Sequence, residues 1–589
     1  MQTLKPQDIQ VVMGVPPVAT LKDRVAIDTE WFGMDGKRLH RPHGAFACAT
    51  FSYDGRVVYV VTDAKDLPQA MKNVEPAVHV YHNAKFDIGQ IRRFVEYPHR
   101  DRMWDTMLVE QIRFSGYYAE DQFALKDLVR RYLHLYMSKE ERAEFGKTNV
   151  MTNEMLIYSA LDCALTYRVF DQQRREIDKN DLWIWKNVEC LFTFVLLAMG
   201  GMRLDTEQWM ELARRHQSIA DTIQAKYGSK SLVIGPRGGH KDVWTGINLA
   251  STEQVKAEIK RLGYKVESSN EDDIKHLAGE CEFIRDVLEF REHDKAASTY
   301  GESMLAFVEK DGYIYPDIRQ MGAGTGRPSM RKPNGQNIPR DKEHRACFVG
   351  NLVDGDWSAQ EPRIFAYLCQ DPTMIQIYKE KKDIYIEFAR LGFGEIITKA
   401  DKARRGEMKI VVLGACYGLT EYGIFRQHGI PLEQGKMLMD TFWRTFPKAK
   451  EYKNHVIEQG RKDGYVETIY KRKYWLNTYQ WGWQNNCLNS PVQGSAADAM
   501  KLACIAFQNE WGWPDGGLTS DDGFRYSVSP IHNIIHDEIL LDMVDTPELM
   551  DAAEQLMRTV MIATAEKMHP GIPAEVEIGQ GTSWATAHG

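Results

Sequence analysis

Acids set inside apolar runs constrain this chain more than any other feature. Ile534-Ile535-His536-Asp537-Glu538-Ile539-Leu540-Leu541 has apolar residues on both sides of three polar ones. The pattern reads as a β-hairpin with His-Asp at its tip. Leu352-Val353-Asp354-Gly355-Asp356 is likewise an apolar strand ending in an acid, and a helix with Pro362 in its first turn is expected after it. Acids flanked by buried strands are costly unless a metal or a partner satisfies them. Between the two runs, residues from about 366 to 460 read as helical. The chain therefore leaves a sheet, builds helices and returns to the sheet, so acids far apart in sequence can meet.

Within the helical region, Arg405, Lys409, Leu413 and Tyr417 follow at steps of four, with Gly418 able to end the helix. Such steps make a slowly drifting stripe along one helical face. Arg and Lys suit a triphosphate. Leu and Tyr suit a stacked base and sugar. Taken alone, the stripe also fits an amphipathic surface helix, and His536-Asp537-Glu538 also fits a polar hairpin turn.

A second set of acids lies near the N-terminus. Asp28 and Glu30 are two apart on an expected strand, so both side chains face one side of its sheet. Two carboxylates there repel unless a cation sits between them. Asn83 with Asp87, and Tyr158 with Asp162, are spaced to share a helical face. Singly, these read as a solvated strand end, an N-cap at Asn83 and a surface pair. Together and in this order they are far more specific.

The chain has 589 residues, so about four domains or subdomains are expected. Hydrophobic residues make up 43% and charged residues 26%, which is ample for several cores. The net charge of −8 counts mildly against a generic nucleic-acid binder without excluding one, since a DNA track can be a local basic stripe. Nine cysteines without a C-x-x-C pair argue against a disulfide framework or zinc ribbon. No apolar run is long enough to span a bilayer and no signal pattern opens the chain, so a cytoplasmic location is expected. Residues 1 to about 185 read as α/β, with strands at Val25–Ile27, Phe46–Phe51, Val57–Val61 and Val78–Tyr81 and helices at Asp87–Val95, Leu125–Leu133 and Glu154–Ile177. The next stretch, to about 312, reads as helical, interrupted by a Gly-rich loop at Gly235–Gly246.

Asp28, Glu30, Asp87, Tyr158 and Asp162 resemble the DEDDy kind of DEDD exonuclease over about residues 20–180. Asp356–Arg363, Arg405–Gly418 and His536–Glu538 resemble motifs A, B and C of the family A DNA polymerases. Thr325-Gly326-Arg327, Gln336–Pro339, Asn489–Gly494 and Lys295–Tyr300 add to that resemblance. It implies an α/β and α+β multidomain chain: an RNase H-like 3′→5′ exonuclease domain (1–185), then a right hand. Its thumb would be 186–312, its palm 313–365 with 482–589, and its fingers 366–481. The implied activity is DNA-templated DNA synthesis with proofreading, in phage-type replication and in the host cytoplasm if phage-encoded.

The resemblance also implies roles. Asp356 and Asp537 would hold Mg²⁺, with Mn²⁺ able to substitute and Glu538 in support. Asp28, Glu30, Asp87 and Asp162 would hold the metals of the exonuclease, where Tyr158 orients the attacking water. Arg405, Lys409, Leu413, Tyr417, Trp357 and Tyr385 would line the nucleotide, and Glu361 would exclude a 2′-hydroxyl. Arg327, Asn337, Asn489, Gln493 and His536 would contact the primer-template, Lys295, Ser298 and Thr299 would grip duplex DNA, and Asn83 would touch the exonuclease strand. Partners would be primer-template DNA and dNTPs, with a helicase, primase or single-strand-binding protein as candidates, and the chain would act as a monomer. Three departures stand out: Trp357 replaces a tyrosine, Leu413 an aromatic, and Tyr385 a histidine. No 5′-nuclease segment precedes Asp28, which favours a replicase over a nick-translating repair enzyme.

Overall fold

The computed structural model describes residues 2–3, 8–34, 43–97, 100–137, 145, 147–234, 240–513, 529–543 and 546–588. The N-terminal domain is a six-stranded mixed sheet. Its strands are β1 (Gln10–Met13), β2 (Arg24–Phe32), β3 (Ala45–Ser52), β4 (Val57–Val61), β5 (Val78–Tyr81) and β6 (Met103–Asp105), in the order β1-β4-β3-β2-β5-β6. The pairs β2–β3 and β3–β4 are antiparallel and the rest are parallel. Helices α1 (Ala84–Ile91), α2 (Thr106–Phe114) and α3 (Asn153–Glu176) pack around it. Apolar residues of strands and helices form one core, including Val25, Phe51, Val80, Ile88, Val109 and Ala164.

A π-helical turn, Trp185–Glu189, leads into the second half. There α4 (Thr206–Ala225) lies against α5 (Glu282–Thr299) over an apolar seam that includes Ala220, Ile223, Val287 and Phe290. The expected loop at 235–246 needs correction over its second part. Residues 235–239 lie outside the described residues, and His240–Gly246 is a strand paired antiparallel with Gly228–Ile234. Val243, Trp244 and Thr245 are strand formers, and the glycines on either side concealed them.

A second sheet organises the C-terminal half. It contains β7 (Val349–Trp357), β8 (Ile531–Ile535), β9 (Glu538–Asp542) and β10 (Val576–Ser583), in the order β8-β9-β7-β10 and all antiparallel. Helices α6 (Gln360–Cys369), α7 (Ile384–Phe393), α8 (Lys402–Cys416) and α9 (Trp483–Trp511) come between β7 and β8 in the chain, and α10 (Met550–Met568) follows β9. Pro362 falls in the first turn of α6, where its missing N–H costs nothing. Helix α10 packs so close to the sheet that a Cβ at Gly355 would meet the Met557 sulfur at 2.3 Å, so a larger residue there would have to push that side chain aside. Among the described residues, no helix is long and apolar enough to cross a membrane.

Candidate active sites

In the N-terminal domain, β2 alternates as its sequence requires. Thr29 is buried on one face, while Asp28 and Glu30 are half-buried on the other. Both acids line a cleft of about 560 Å³ together with Asn83, Asp87, Tyr158 and Asp162. All four expected carboxylates and the tyrosine therefore converge. Asp87 is fixed from the sheet, because Thr29 donates to its Oδ1 through the backbone N–H (3.0 Å) and the hydroxyl (2.7 Å). Tyr158 and Asp162 share one face of α3 and both are buried, so they are not a surface pair.

Asn83 is not the side-chain cap of α1. Its φ is +70° and its side chain makes no capping bond. Asp105, at the end of β6, does that work. It accepts from the N–H groups of Asn83 (3.0 Å) and Ala84 (2.7 Å), and also from those of Met107 (2.9 Å) and Leu108 (3.3 Å) at the start of α2. One buried carboxylate thus caps two helices, and α1 begins earlier than the sequence pattern alone suggested. Burial pushes the Asp105 carboxyl above its ordinary range despite these four bonds. Lys85 points the other way, to Asp317 at 3.2 Å and to the Ile318 carbonyl, and so ties the cleft to the C-terminal half. Neither Asp105 nor Lys85 was marked by spacing.

In the second sheet, the register of β7 on β9 sets Asp356 directly opposite Glu538, and β10 places Glu577 on its other side. Opposed residues share a face. Asp354, two back, faces the same way. Asp537 follows in the tight turn between β8 and β9, where His536 has φ +58°. The distant acids therefore do meet. Burial, then Asp537 and Asp354, push the Asp356 carboxyl up to about 7. Its Oδ1 is buried without a hydrogen-bond partner. A crowded set of carboxylates with an unsatisfied buried oxygen suits a divalent cation, which favours oxygen ligands.

Glu538 lies deeper. Arg345 donates to both its oxygens, at 3.3 and 3.0 Å, and Trp584 donates its indole N–H. Burial and Asp354 still raise its carboxyl to about 8. His588 Nδ1 lies 2.6 Å from Asp354 and 3.6 Å from Glu538, and the bond to Asp354 raises the imidazole. Asp354, Glu538 and His588 could together hold a metal ion. None of Arg345, Asp354, Trp584 and His588 was anticipated as a group, because their meeting depends on strand pairing and the fold of the C-terminal turn.

The α8 stripe is as expected. Arg405, Leu413 and Tyr417 are half-buried and Lys409 is exposed, while Met408, Val411, Val412, Ala415 and Cys416 are buried on the opposite face. Glu361, at the start of α6, accepts from both Tyr417 and Arg327 and so joins the strand–helix corner to the stripe. Burial raises its carboxyl. Arg405 is paired with Asp383 at 2.7 Å and lies over the Tyr385 ring at 5.2 Å.

Two expected nucleotide residues need correction. Trp357 is 3% exposed and its indole donates to the Met561 carbonyl at 3.2 Å. Strand alternation puts it with Gly355 on the α10 side, away from Asp354 and Asp356, so its side chain cannot line a nucleotide. Tyr385 is 5% exposed beneath Arg405, so it supports that arginine rather than standing on the open face.

Arg327 and His536 line one small pocket with Gln336. Asn489 and Gln493 are half-buried and one turn apart on α9, and the Oδ1 of Asn489 is buried without a partner. Asn337 is exposed beside Ile338, and its carbonyl accepts from Tyr300. Lys295, Ser298 and Thr299 are exposed at the C-terminal end of α5.

Comparison with known proteins agrees with both halves. Residues 18–178 match the 3′-5′ exonuclease family, and residues 215–586 match DNA polymerase family A. The chain is 26% identical over 537 residues to DNA polymerase I of Chloroflexus aurantiacus, covering 85% of this chain and 54% of that one. It is 28% identical over 455 residues to the thermostable DNA polymerase I of Thermus aquaticus, covering 72% and 51%. The chain thus spans about half the length of these curated relatives. A solved structure of the POL domain of Pol1 from M. smegmatis, in complex with DNA primer-template and dNTP, superposes with a TM-score of 0.79 at 22% identity, covering 98% of this chain and 100% of that one. The fold is therefore a mixed α/β exonuclease-type domain followed by a mostly helical polymerase domain of palm, fingers and thumb, and the chain belongs to DNA polymerase family A.

Proposed function

We propose that this chain extends a DNA primer on a DNA template from deoxynucleoside triphosphates, and removes 3′-terminal nucleotides at its second cleft. The observation that carries the reading is the pairing of β7 with β9. It gathers Asp356 and Asp537 beside a corner that Glu361 links to the α8 stripe. The domain limits in this reading are 1–185 for the exonuclease, 186–312 for the thumb, 313–365 with 482–589 for the palm and 366–481 for the fingers.

Asp356 and Asp537 would hold Mg²⁺ in the polymerase site, and Asp28, Glu30, Asp87 and Asp162 would hold it in the exonuclease site. Mg²⁺ bound there lowers the pKa of the attacking hydroxyl or water and offsets charge on phosphate oxygens. The chain's own residues do the positioning. Lys409 and Arg405 would grip the triphosphate, with Arg405 exchanging its pairing to Asp383 for the phosphates. Leu413 and Tyr417 would bear on base and sugar. Glu361, held by Tyr417 and Arg327, would fill the space a 2′-hydroxyl needs. Arg327, Gln493 and His536 would meet minor-groove acceptors, which are alike for all correct pairs and so check pairing rather than sequence. Asn489 and Asn337 would contact the template and primer backbone, and Lys295, Ser298 and Thr299 the duplex. Tyr158 would orient the water, and Asn83 the strand, in the exonuclease cleft.

The test is primer extension on a defined DNA template, offering each dNTP or NTP, with and without Mg²⁺. Mg²⁺-dependent, templated incorporation of deoxynucleotides is expected. Untemplated or metal-independent incorporation would sink the reading.

A further inference from the structure

Four fully buried charges meet between the two halves of the molecule. Lys501 on α9 is 0% exposed, as are Asp498 and Glu189, and Arg472 is 2% exposed. The Arg472 guanidinium donates Nη2 to Glu189 at 2.5 Å and to Asp498 at 2.6 Å, with Nε also on Asp498 at 3.0 Å. Lys501 Nζ donates to Glu189 at 2.6 Å and to the backbone carbonyl of Gly326 at 2.8 Å. Gln320 donates to the second Glu189 oxygen at 2.6 Å, and Thr468 to the second Asp498 oxygen at 3.2 Å. Two anions and two cations thus balance.

Burying such a group gains little stability, because desolvation consumes most of the Coulombic attraction. What it can fix is geometry. Both cations of this group bear on the turn that carries Arg327. Gly326 has φ +87°, and a Cβ there would meet the Arg472 side chain at 3.2 Å, so the turn rests directly on that guanidinium. A Cβ at Gly494 would meet the Thr325 carbonyl at 3.0 Å, so α9 also approaches closely. The turn is closed by Gly326 N–H to the Ala323 carbonyl (2.9 Å) and Ala323 N–H to the Arg327 carbonyl (3.1 Å). Arg327 leaves it to reach Glu361.

We propose that Lys501 is a positioning residue for primer extension, acting through the Gly326 carbonyl to aim the Arg327 guanidinium. The buried pair Glu189–Arg472 is the anchor that holds Lys501 and the turn in place. Glu189 belongs to the π-helical turn next to the exonuclease core, so the aim of Arg327 is referenced to that domain as well as to α9. This rests on the reading of Arg327 as a primer-template contact in the minor groove.

The experiment compares four variants of the full chain: Lys501→Met/Glu189→Gln, Glu189→Gln, Arg327→Ala, and Lys501→Met/Glu189→Gln/Arg327→Ala. Removing Lys501 together with the Glu189 charge avoids a lone buried anion, so loss of folding does not mask the result. Glu189→Gln alone keeps the Lys501 donor on Gly326. Single-turnover extension is read as rate constant and dNTP half-saturation, and degradation of a single-stranded 3′ end is read alongside. Lys501→Met/Glu189→Gln is expected to lower the extension rate about tenfold to a hundredfold, as misplacement by an ångström does. Half-saturation and exonuclease rate should change less than about twofold. Glu189→Gln, whose amide oxygen can still accept from Lys501 and Arg472, should lose clearly less extension than Lys501→Met/Glu189→Gln, and the triple variant should be no slower than Arg327→Ala. A wild-type extension rate in Lys501→Met/Glu189→Gln, equal losses in that variant and Glu189→Gln, or losses that multiply with Arg327→Ala would each overturn the inference. If Arg327→Ala itself extends normally, the primer-contact reading falls first and the inference with it.

Discussion

Asp105→Asn should damage the exonuclease cleft while leaving synthesis intact. Asp105 is 1% exposed and supplies the acceptors for four backbone donors: Oδ1 for Asn83, Met107 and Leu108, and Oδ2 for Ala84 at 2.7 Å. An asparagine can turn its oxygen to the three donors on one side. Its NH₂ then faces the Ala84 N–H, and the first turn of α1 loses its shortest cap bond. A lost cap costs about 1 kcal/mol, and a buried donor left without an acceptor costs about 1–3 kcal/mol, so the change should destabilise the N-terminal domain by about 2–4 kcal/mol. That is a sizeable part of a domain stability of about 5–15 kcal/mol, but not all of it. Because Asp87 rides on α1, one turn past the damaged cap, the exonuclease rate on a single-stranded 3′ end should fall at least about tenfold. Primer extension should change less than about twofold. Denaturant unfolding, amide exchange of 84–91 and 106–114, and the two activity assays check this together. Unchanged exchange in both helices with an exonuclease rate within twofold of wild type would refute the claim that Asp105 builds the cleft.

Three further outcomes can be stated briefly. Glu361→Ala should raise ribonucleotide incorporation relative to deoxynucleotide by at least about tenfold in competition assays, since Tyr417 and Arg327 lose the group that holds the floor of the site. Leu413→Tyr should raise dideoxynucleotide incorporation, read from chain-termination ratios; equal ratios in variant and wild type would remove Leu413 from the sugar face. In chelator, Asp356 and Glu538 carry carboxyls raised to about 7 and about 8, from ordinary values of 3.8 and 4.5. A carboxyl raised by folding favours its protonated form, so its contribution is full below about pH 4 and is lost as pH rises through 7 to 8. The thermal midpoint in EDTA should therefore fall between pH 5 and 8.5, Mg²⁺ should restore more at pH 8 than at pH 6, and Asp356→Asn/Glu538→Gln should flatten the slope.

The parts of the site that follow from local periodicity were legible in the sequence. Two-residue alternation put Asp28 and Glu30 on one face of a strand, and four-residue steps set Arg405 to Tyr417 on one face of a helix. Apolar runs around Asp356 and Asp537 marked buried strands that could meet. What depends on long-range pairing was not legible. Asp105 caps a helix whose first residue lies 21 positions earlier, so Asn83, the local candidate, was credited instead. The same alternation that turns Asp356 toward the other acids buries Trp357 on the opposite face, but the sequence does not say which face α10 covers. Tyr385 sits between Ile384 and Ile386, and its place under Arg405 follows only from how α7 packs on α8. The Asp354–Glu538–His588 group and the Glu189–Arg472–Lys501–Asp498 group each join residues from separate elements, and a buried charge is indistinguishable from a surface one until its partners are known.

The claim that two separate acidic sites do two separate jobs is tested most directly by one cross. Asp537→Ala and Asp28→Ala/Glu30→Ala are each assayed, in Mg²⁺, for templated extension and for degradation of a mismatched 3′ end. Asp537→Ala should lose extension by at least about a thousandfold and keep degradation, as removal of a metal-binding carboxylate from only one site requires. The double variant should do the reverse. Loss of both activities in either protein, with its fold intact, would contradict the account.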